Sequence, residues 1–368
     1  MIEELIKEAK EKLKVSPQAA KDYEENKPFM LNFVNQEMTK RSDLLTLIGF
    51  NSLQIMYDNH TNHANFMANV FKYSLFEMLV KMVPWVYKAY SNHGFSYDYF
   101  LVELHTWKRA VENFLPSSSA KEINRTYEWL IEKHEEMIEL SQKQDEFKIT
   151  LERKWEIKKE RFLSHLLRAD FNSAVKFANR LVKSPQDLEN FYLKILQPAL
   201  YEIGSLWEKG KISVAEEHLA TSIVGRVMAN IYTYFPKNKT KAQAKAIITS
   251  SPNEYHELGG RMVADLLEMD GWDVYYLGAN VPEDEVLKLV KKIKPKLIGI
   301  SVTMPFNLER TEKLISKIRS LKGISLKIMV GGLLFNLFPE VYLKLGADFW
   351  ASDAKKAVEI AKFLKSSS

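Results

Sequence analysis

The residues best equipped for chemistry sit in one short loop, Ser251-Pro252-Asn253-Glu254-Tyr255-His256-Glu257-Leu258-Gly259-Gly260, which sets an imidazole among carboxylates. A neutral imidazole with a carboxylate two residues away suits a metal ligand whose other ring nitrogen is held by an acceptor. A surface histidine in a polar loop is the plainer alternative. A phosphate grip is disfavoured, because anion-binding turns need converging backbone N–H groups and the two acids here would repel an anion. Further on stand Ser301-Val302-Thr303 and Gly331-Gly332. Alternation puts Ser301 and Thr303 on one side of a strand. Facing a glycine pair, they describe a slot that something flat or chain-like can enter closely, although Gly-Gly after a strand is also ordinary turn chemistry.

A third group is Trp207, then nine intervening residues, then Glu217-His218. Gly210 can end one helix in the left-handed conformation, and Ser213 with Glu216 makes a capping box that starts the next. The resulting helical hairpin lets Trp207, Glu217 and His218 converge on one face. A buried tryptophan beside a solvated capping helix is the alternative.

The elements that must position these groups follow from periodicity. Residues 1 to about 240 carry apolar side chains at helical spacing, and from about 243 short β-branched runs alternate with helical stretches. Strands are expected at Ala246–Ser250, Asp273–Leu277, Leu297–Val302, Leu326–Val330 and Asp348–Ala351. Between them lie helices near Gly259–Glu268, Asp284–Lys292, Leu308–Ser320, Pro339–Leu345 and Ala354–Leu364. Each strand is followed by a crossover helix, which implies a doubly wound, parallel, five-stranded Rossmann-like (flavodoxin-like) sheet with ligands at the carboxyl ends of its strands. Residues 151 to 235 read as a four-helix bundle, with Ser184-Pro185 opening one helix and Pro198 kinking it. The domains expected are therefore 1–150, 151–238 and 241–368, an all-helical block, a bundle and an α/β domain. The firm boundary is the linker Pro236–Lys241; the softer one is the charged run near Gln142–Thr150, for which the exposed face of one continuous helix is an equal alternative.

Composition narrows the function. The chain has 368 residues, 46% of them hydrophobic, enough for two or three cored domains. Its 52 basic and 47 acidic residues leave a formal charge of +5, too diffuse to grip a phosphate backbone. With no cysteine, thiolate metal sites and thiol nucleophiles are excluded. No apolar run suits a membrane span or a signal core, and a cytoplasmic protein is expected.

Glu254-x-His256-x-x-Gly259, Ser301-x-Thr303 and Gly331-Gly332 together resemble the cobalamin-binding domain of methionine synthase, corrinoid methyl carriers and cobalamin-dependent mutases. The resemblance runs through residues 243 to 365 and includes Gly271-Trp272-Asp273-Val274-Tyr275-Tyr276-Leu277-Gly278 and Val281-Pro282. It implies that His256 is the lower cobalt ligand and that the displaced nucleotide tail enters the slot beside Ser301, Thr303, Gly331 and Gly332. The departure is Glu254, where most members have Asp; its longer arm can reach the imidazole or miss it. Trp207 with Glu217-His218 is similar to the helical cap of light-sensing, adenosylcobalamin-dependent regulators. That likeness implies Trp207 packing on the adenosyl group, Glu217 hydrogen-bonding it and His218 near the cobalt after photolysis. Some of these photoreceptors carry a histidine directly after the tryptophan, and here that position is Glu208. A non-enzymatic light sensor binding adenosylcobalamin is the leading expectation, and a methylcobalamin carrier for a separate methyltransferase is the alternative.

Residues 1 to 150 are helical, with apolar spacing through Leu44–Met56, Phe66–Lys88, Phe100–Phe114 and Ile123–Leu140. Without a compact basic recognition helix, direct DNA binding is not expected. The stretch Leu104-His105-Thr106-Trp107-Lys108-Arg109 resembles the globin-like sensory domains at the front of bacterial stress-signalling proteins. His60, His63, His93 and His105 raise a second tetrapyrrole as a possibility against ordinary packing roles. The partners expected are a downstream signalling protein, met through these helices, and further copies of the chain.

Overall fold

The computed structural model describes residues 1–143, 149–235 and 244–366, so the expected linker at Pro236–Lys241 and part of the expected boundary near Gln142–Thr150 lie outside the described residues. Contacts divide the chain into two compact units. One is Met1–Glu146 with Glu208–Lys211, and the other is Phe147–Trp207 with Ile212–Ser368. No described helix is long and apolar enough to cross a membrane.

The first unit is helical. Its core buries Trp107, Tyr23, Tyr99, Tyr127 and Phe71 completely or nearly so. Two helices that periodicity reads as continuous are broken. Leu44–Met56 becomes Leu44–Ile48 and the start of Leu53–Tyr73, because Gly49 turns to φ +62° with Gly94 O so close that a Cβ would sit 2.6 Å from it. Phe66–Lys88 is interrupted where Ser74 takes a left-handed conformation between Leu53–Tyr73 and Phe76–Asn92.

The second unit begins, among the described residues, with the helices Arg153–Leu167, Phe171–Leu181, Pro185–Phe191, which runs on into Gln197–Glu208 as far as Trp207, and Val214–Tyr232. The Ser184 side chain accepts from Asp187 N and caps the third. Near Pro198, where a kink is expected, the helix widens into a π turn, Tyr192–Leu196. Pro198 has no N–H to offer the preceding turn, and its ring crowds the carbonyl four residues back. The wider turn carries Tyr192, whose buried hydroxyl donates to Asp265 Oδ2 at 2.6 Å.

Five parallel strands follow: β1 Lys245–Ser250, β2 Asp273–Tyr276, β3 Leu297–Ser301, β4 Lys327–Gly331 and β5 Phe349–Ala351, in the order β2-β1-β3-β4-β5. This is the flavodoxin-like order, whose direction reverses between β1 and β3 and opens a crevice at their carboxyl ends. The strands start and stop within a residue or so of the sequence expectation. The helix expected at Pro339–Leu345 is present as the short Val341–Lys344, and a further short helix, Leu333–Leu337, precedes it directly after Gly332. Met262 and Leu266, from the helix Leu258–Met269, pack into the same core as Phe162, Phe191, Tyr192 and Val227 of the bundle. Bundle and α/β domain, read separately from sequence, thus share one core.

Candidate functional site

The loops after β1 and β3 meet at the crevice, and one carboxylate ties them together. Glu254, 1% exposed, accepts from His256 Nδ1 at 2.5 Å through Oε1. Its Oε2 accepts from the backbone N–H of Thr303 and Met304, both at 2.9 Å, and from Asn307 Nδ2 at 3.2 Å. Burial pulls the Glu254 pKa up, but His256 and the Met304 and Thr303 amides outweigh it and hold the carboxyl below its ordinary range. The longer arm of Glu254 therefore reaches the imidazole.

His256 is held on one side and open on the other. Its side chain is 59% exposed, and Ser250 Oγ donates to its backbone carbonyl at 3.2 Å. With Nδ1–H committed to Glu254, Nε2 carries the free lone pair that a metal needs. Burial pulls the imidazole pKa down; the Glu254 hydrogen bond and charge, with the charge of Glu217, push it above the ordinary value.

That effect of Glu217 connects the bundle to the loop. Ser213 and Glu216 form the capping box, Ser213 N donating to Glu216 Oε2 at 2.7 Å and Glu216 N to Ser213 Oγ at 3.2 Å. The box starts Val214–Tyr232 and puts Glu217 and His218 in its opening turns. Glu217 Oε2 pairs with His218 Nδ1 at 2.7 Å, and His218 is 75% exposed. Trp207 is half-buried in the last turn before Gly210, which takes φ +63°.

Beneath the crevice the sheet is built of small residues. Ser250, Ser301, Gly331 and Ala351 stand in register across β1, β3, β4 and β5. Two residues earlier on the same face lies Gly299, where a Cβ would be 2.7 Å from Ile248 Cδ1. Gly260 brings its helix close, a Cβ there meeting Ile248, Tyr276 and Ser301 at 3.7 to 3.9 Å. Open space surrounds Gly259. Gly332 has φ +102° and sits against Val302, whose carbonyl oxygen would lie 2.3 Å from a Cβ. Thr303 lies past the end of β3, and its backbone N–H, rather than strand alternation with Ser301, ties it to the site.

Sequence reasoning passed over Asn307, Ser250, Gly260 and Gly299. A glycine within an apolar strand was the available signal for Gly299. In the first unit, His60 Nδ1 contacts Asn35 Oδ1 at 2.6 Å, His63 Nε2 contacts Tyr127 OH at 3.2 Å and His93 Nδ1 contacts Ala89 O at 2.7 Å, while His105 is exposed. Among the described residues no group of three potential metal-ligating side chains forms.

The donor set fits a cobalamin: one oriented imidazole suits a metal whose equatorial positions are filled by a macrocycle, and the slot of small residues suits a chain-like tail. Comparison with known proteins agrees. A family model described as a B12 binding domain matches residues 244–359, and another of the same description matches residues 159–232. The HTH-type transcriptional repressor CarH of Myxococcus xanthus is 27% identical over 139 residues, 38% of this chain and 46% of that protein, so the match spans less than half of the repressor. Dimethylamine corrinoid protein 1 of Methanosarcina acetivorans is 25% identical over 197 residues, 52% of this chain and 90% of that protein. Among solved structures, the monomethylamine corrinoid protein of Methanosarcina barkeri aligns with a TM-score of 0.49 and 20% identity over 56% of this chain and 97% of that one. The chain carries B12-binding domains and is a cobalamin-binding protein.

Proposed function

We propose that this cobalamin-binding protein is a light-responsive sensor, holding adenosylcobalamin with His256 as the lower ligand and the bundle over its upper face. When bound, adenosylcobalamin supplies a weak cobalt–carbon bond that visible light breaks. The chain's own residues do the rest. Glu254 keeps the His256 Nδ1 proton in place and leaves Nε2 free below the ring. Ser301, Gly331 and Gly332, with Gly299 deeper on the sheet, leave room for the nucleotide tail. Trp207 packs above the ring, and Glu217 and His218 offer polar contacts to an upper ligand. The bundle is the two-state element, since its packing depends on whether an upper ligand braces Trp207 and Glu217.

The observation that carries this reading is the placement of the Glu254–His256 pair at the β1/β3 crevice, within electrostatic reach of Glu217 from the bundle. Full-length protein reconstituted with adenosylcobalamin in the dark should change absorbance and hydrodynamic size on illumination, and His256→Ala should lose the His-ligated spectrum. An unchanged size in both states would remove the signalling role.

A second reading, a methyl carrier serving a separate methyltransferase, is favoured by one observation: the alignment to the dimethylamine corrinoid protein takes in 90% of that protein. Retention of methylcobalamin in strong preference to adenosylcobalamin would support it. On both readings the chain carries the cofactor and hands its effect to another protein. For the sensor, that partner and further copies of the chain would meet the N-terminal helices, in a cytoplasmic setting.

A further inference from the structure

The two helices that carry Trp207 and Glu217 are fastened to the α/β domain at their far ends. Tyr192, on the π turn that leads into Gln197–Glu208, is buried and donates its hydroxyl to the buried Asp265 Oδ2 at 2.6 Å. Tyr232, the last residue of Val214–Tyr232, donates to Glu268 Oε2. Asp265 and Glu268 stand three residues apart on one side of the helix Leu258–Met269, which starts two residues after His256. All four groups belong to the same compact unit as His256. Burial, then the Asp265 charge, pushes the Tyr192 hydroxyl far above its ordinary range, so it stays a donor. Burial, then the Asp273 charge, raises Glu268 to about 7, and in both of its forms an oxygen remains to accept from Tyr232.

Tyr192 and Trp207 are 15 residues apart, and so are Glu217 and Tyr232. At the rise of an α-helix that is about 22 Å, so a tilt of about 5° at the fastened end displaces the far end by about 2 Å. Met262 and Leu266 of Leu258–Met269 already pack into the core of the bundle, but apolar burial is non-directional and does not by itself fix an angle. Hydrogen bonds to carboxyl groups are directional, and those to a carboxylate are among the stronger kind. One such bond on each helix therefore sets the tilt of the pair as well as its place. The π turn adds a rotation: it holds one residue more than an α turn, so the helix beyond it is turned by about 100° and the phase between Tyr192 and Trp207 depends on it.

We propose that Tyr192 and Tyr232 are positioning residues, whose bonds to Asp265 and Glu268 hold Trp207 and Glu217 at one distance from the His256 loop and so set the room for the upper ligand of a bound corrinoid. The proposal rests on the sensor reading and deepens it by naming what fixes the upper side of the pocket. It is tested by titrating the full-length protein in the dark with adenosylcobalamin, whose bulky upper group meets the bundle, and with hydroxocobalamin, whose small one does not. Absorbance follows uptake, and urea unfolding of the cofactor-free protein runs alongside. Tyr192→Phe combined with Tyr232→Phe should weaken adenosylcobalamin about 10-fold and hydroxocobalamin less than about 2-fold, because only the bulky ligand needs the bundle held in place beforehand. Asp265→Asn combined with Glu268→Gln, which leaves each tyrosine an acceptor oxygen, should keep the parent's preference. Should the stranded carboxyl groups unfold the phenylalanine pair, all four substitutions together remove them along with the hydroxyls, and the preference should again be lost. Equal weakening of both corrinoids, in step with a lower urea midpoint, means that the bonds serve packing alone and overturns the proposal. So does an unchanged preference in a folded phenylalanine pair. A parent protein that takes up no adenosylcobalamin fails the sensor reading before any variant is made, and the positioning role falls with it.

Discussion

Glu254 shows how one buried carboxylate can set the chemistry of a neighbour. It receives hydrogen bonds from an imidazole, two backbone amides and a side-chain amide, so it both orients His256 and staples the β1 and β3 loops together. Replacement by glutamine tests the two jobs jointly: one amide oxygen can still accept from Nδ1, but the NH2 group must then face the Thr303 and Met304 donors. Glu254→Gln should weaken hydroxocobalamin binding about 10- to 100-fold, the usual cost of losing a partner that orients a metal-ligating histidine. Titration followed by absorbance measures it, and unchanged affinity would mean that His256 needs no such support. Gly332 is constrained in a different way. At φ +102° and against the Val302 carbonyl, it has no room for a side chain. Gly332→Ala should destabilise the protein by about 2 kcal/mol or more, read as a lower urea midpoint at unchanged slope.

Among the elements, the central strand β3 has the closest tolerance, because Gly299 leaves the space that the row Ser250, Ser301 and Gly331 opens above it. Gly299→Val would displace only the far end of Ile248, at a stability cost of about 1–3 kcal/mol, yet fill the face where a nucleotide tail would lie. Corrinoid affinity should fall much further than thermal stability does; if both fall in proportion, Gly299 serves packing alone. The α/β elements were legible because each signal is local: an apolar run makes a strand, and the amphipathic stretch after it makes a crossover helix. The first unit was less so, since apolar spacing continues across Gly49 and Ser74, and the break at Gly49 is fitted to the Gly94 carbonyl, which is distant in sequence. In the site, His256 and Glu254 announced themselves by being two residues apart. Asn307 did not, because its meaning lies in a carboxylate 53 residues away. The length of Glu254, which left its contact open from sequence, is resolved by where the β3 loop meets it.

The whole molecule joins a cofactor-binding unit to a helical unit that buries ionisable groups of its own, and these give the first unit a pH dependence separate from that of the cobalamin site. Burial raises Glu103 to about 8, against which its bond from Trp107 Nε1 is too weak, and burial lowers His60 and His63 to about 3. Glu103 is therefore protonated in the folded protein over a range where the unfolded chain, near 4.5, has lost the proton. Its contribution to stability is complete below about 4.5 and is lost as pH rises toward 8, at no more than about 1.4 kcal/mol per pH unit. The histidines act in the opposite sense: the unfolded chain takes up their protons below 6.5 while the fold refuses them, so stability is lost as pH falls from 6.5 toward 3. Between 4.5 and 6.5 two histidine protons favour the unfolded chain and one Glu103 proton favours the fold, so stability climbs with pH; above 6.5 only Glu103 remains of the three, and it declines. Urea unfolding from pH 4.5 to 8 should show this trio's contribution peaking near pH 6.5. Glu103→Gln should gain on the parent steadily as pH rises through that range, and a parallel pair of curves would show that the buried carboxyl is already ionised in the fold.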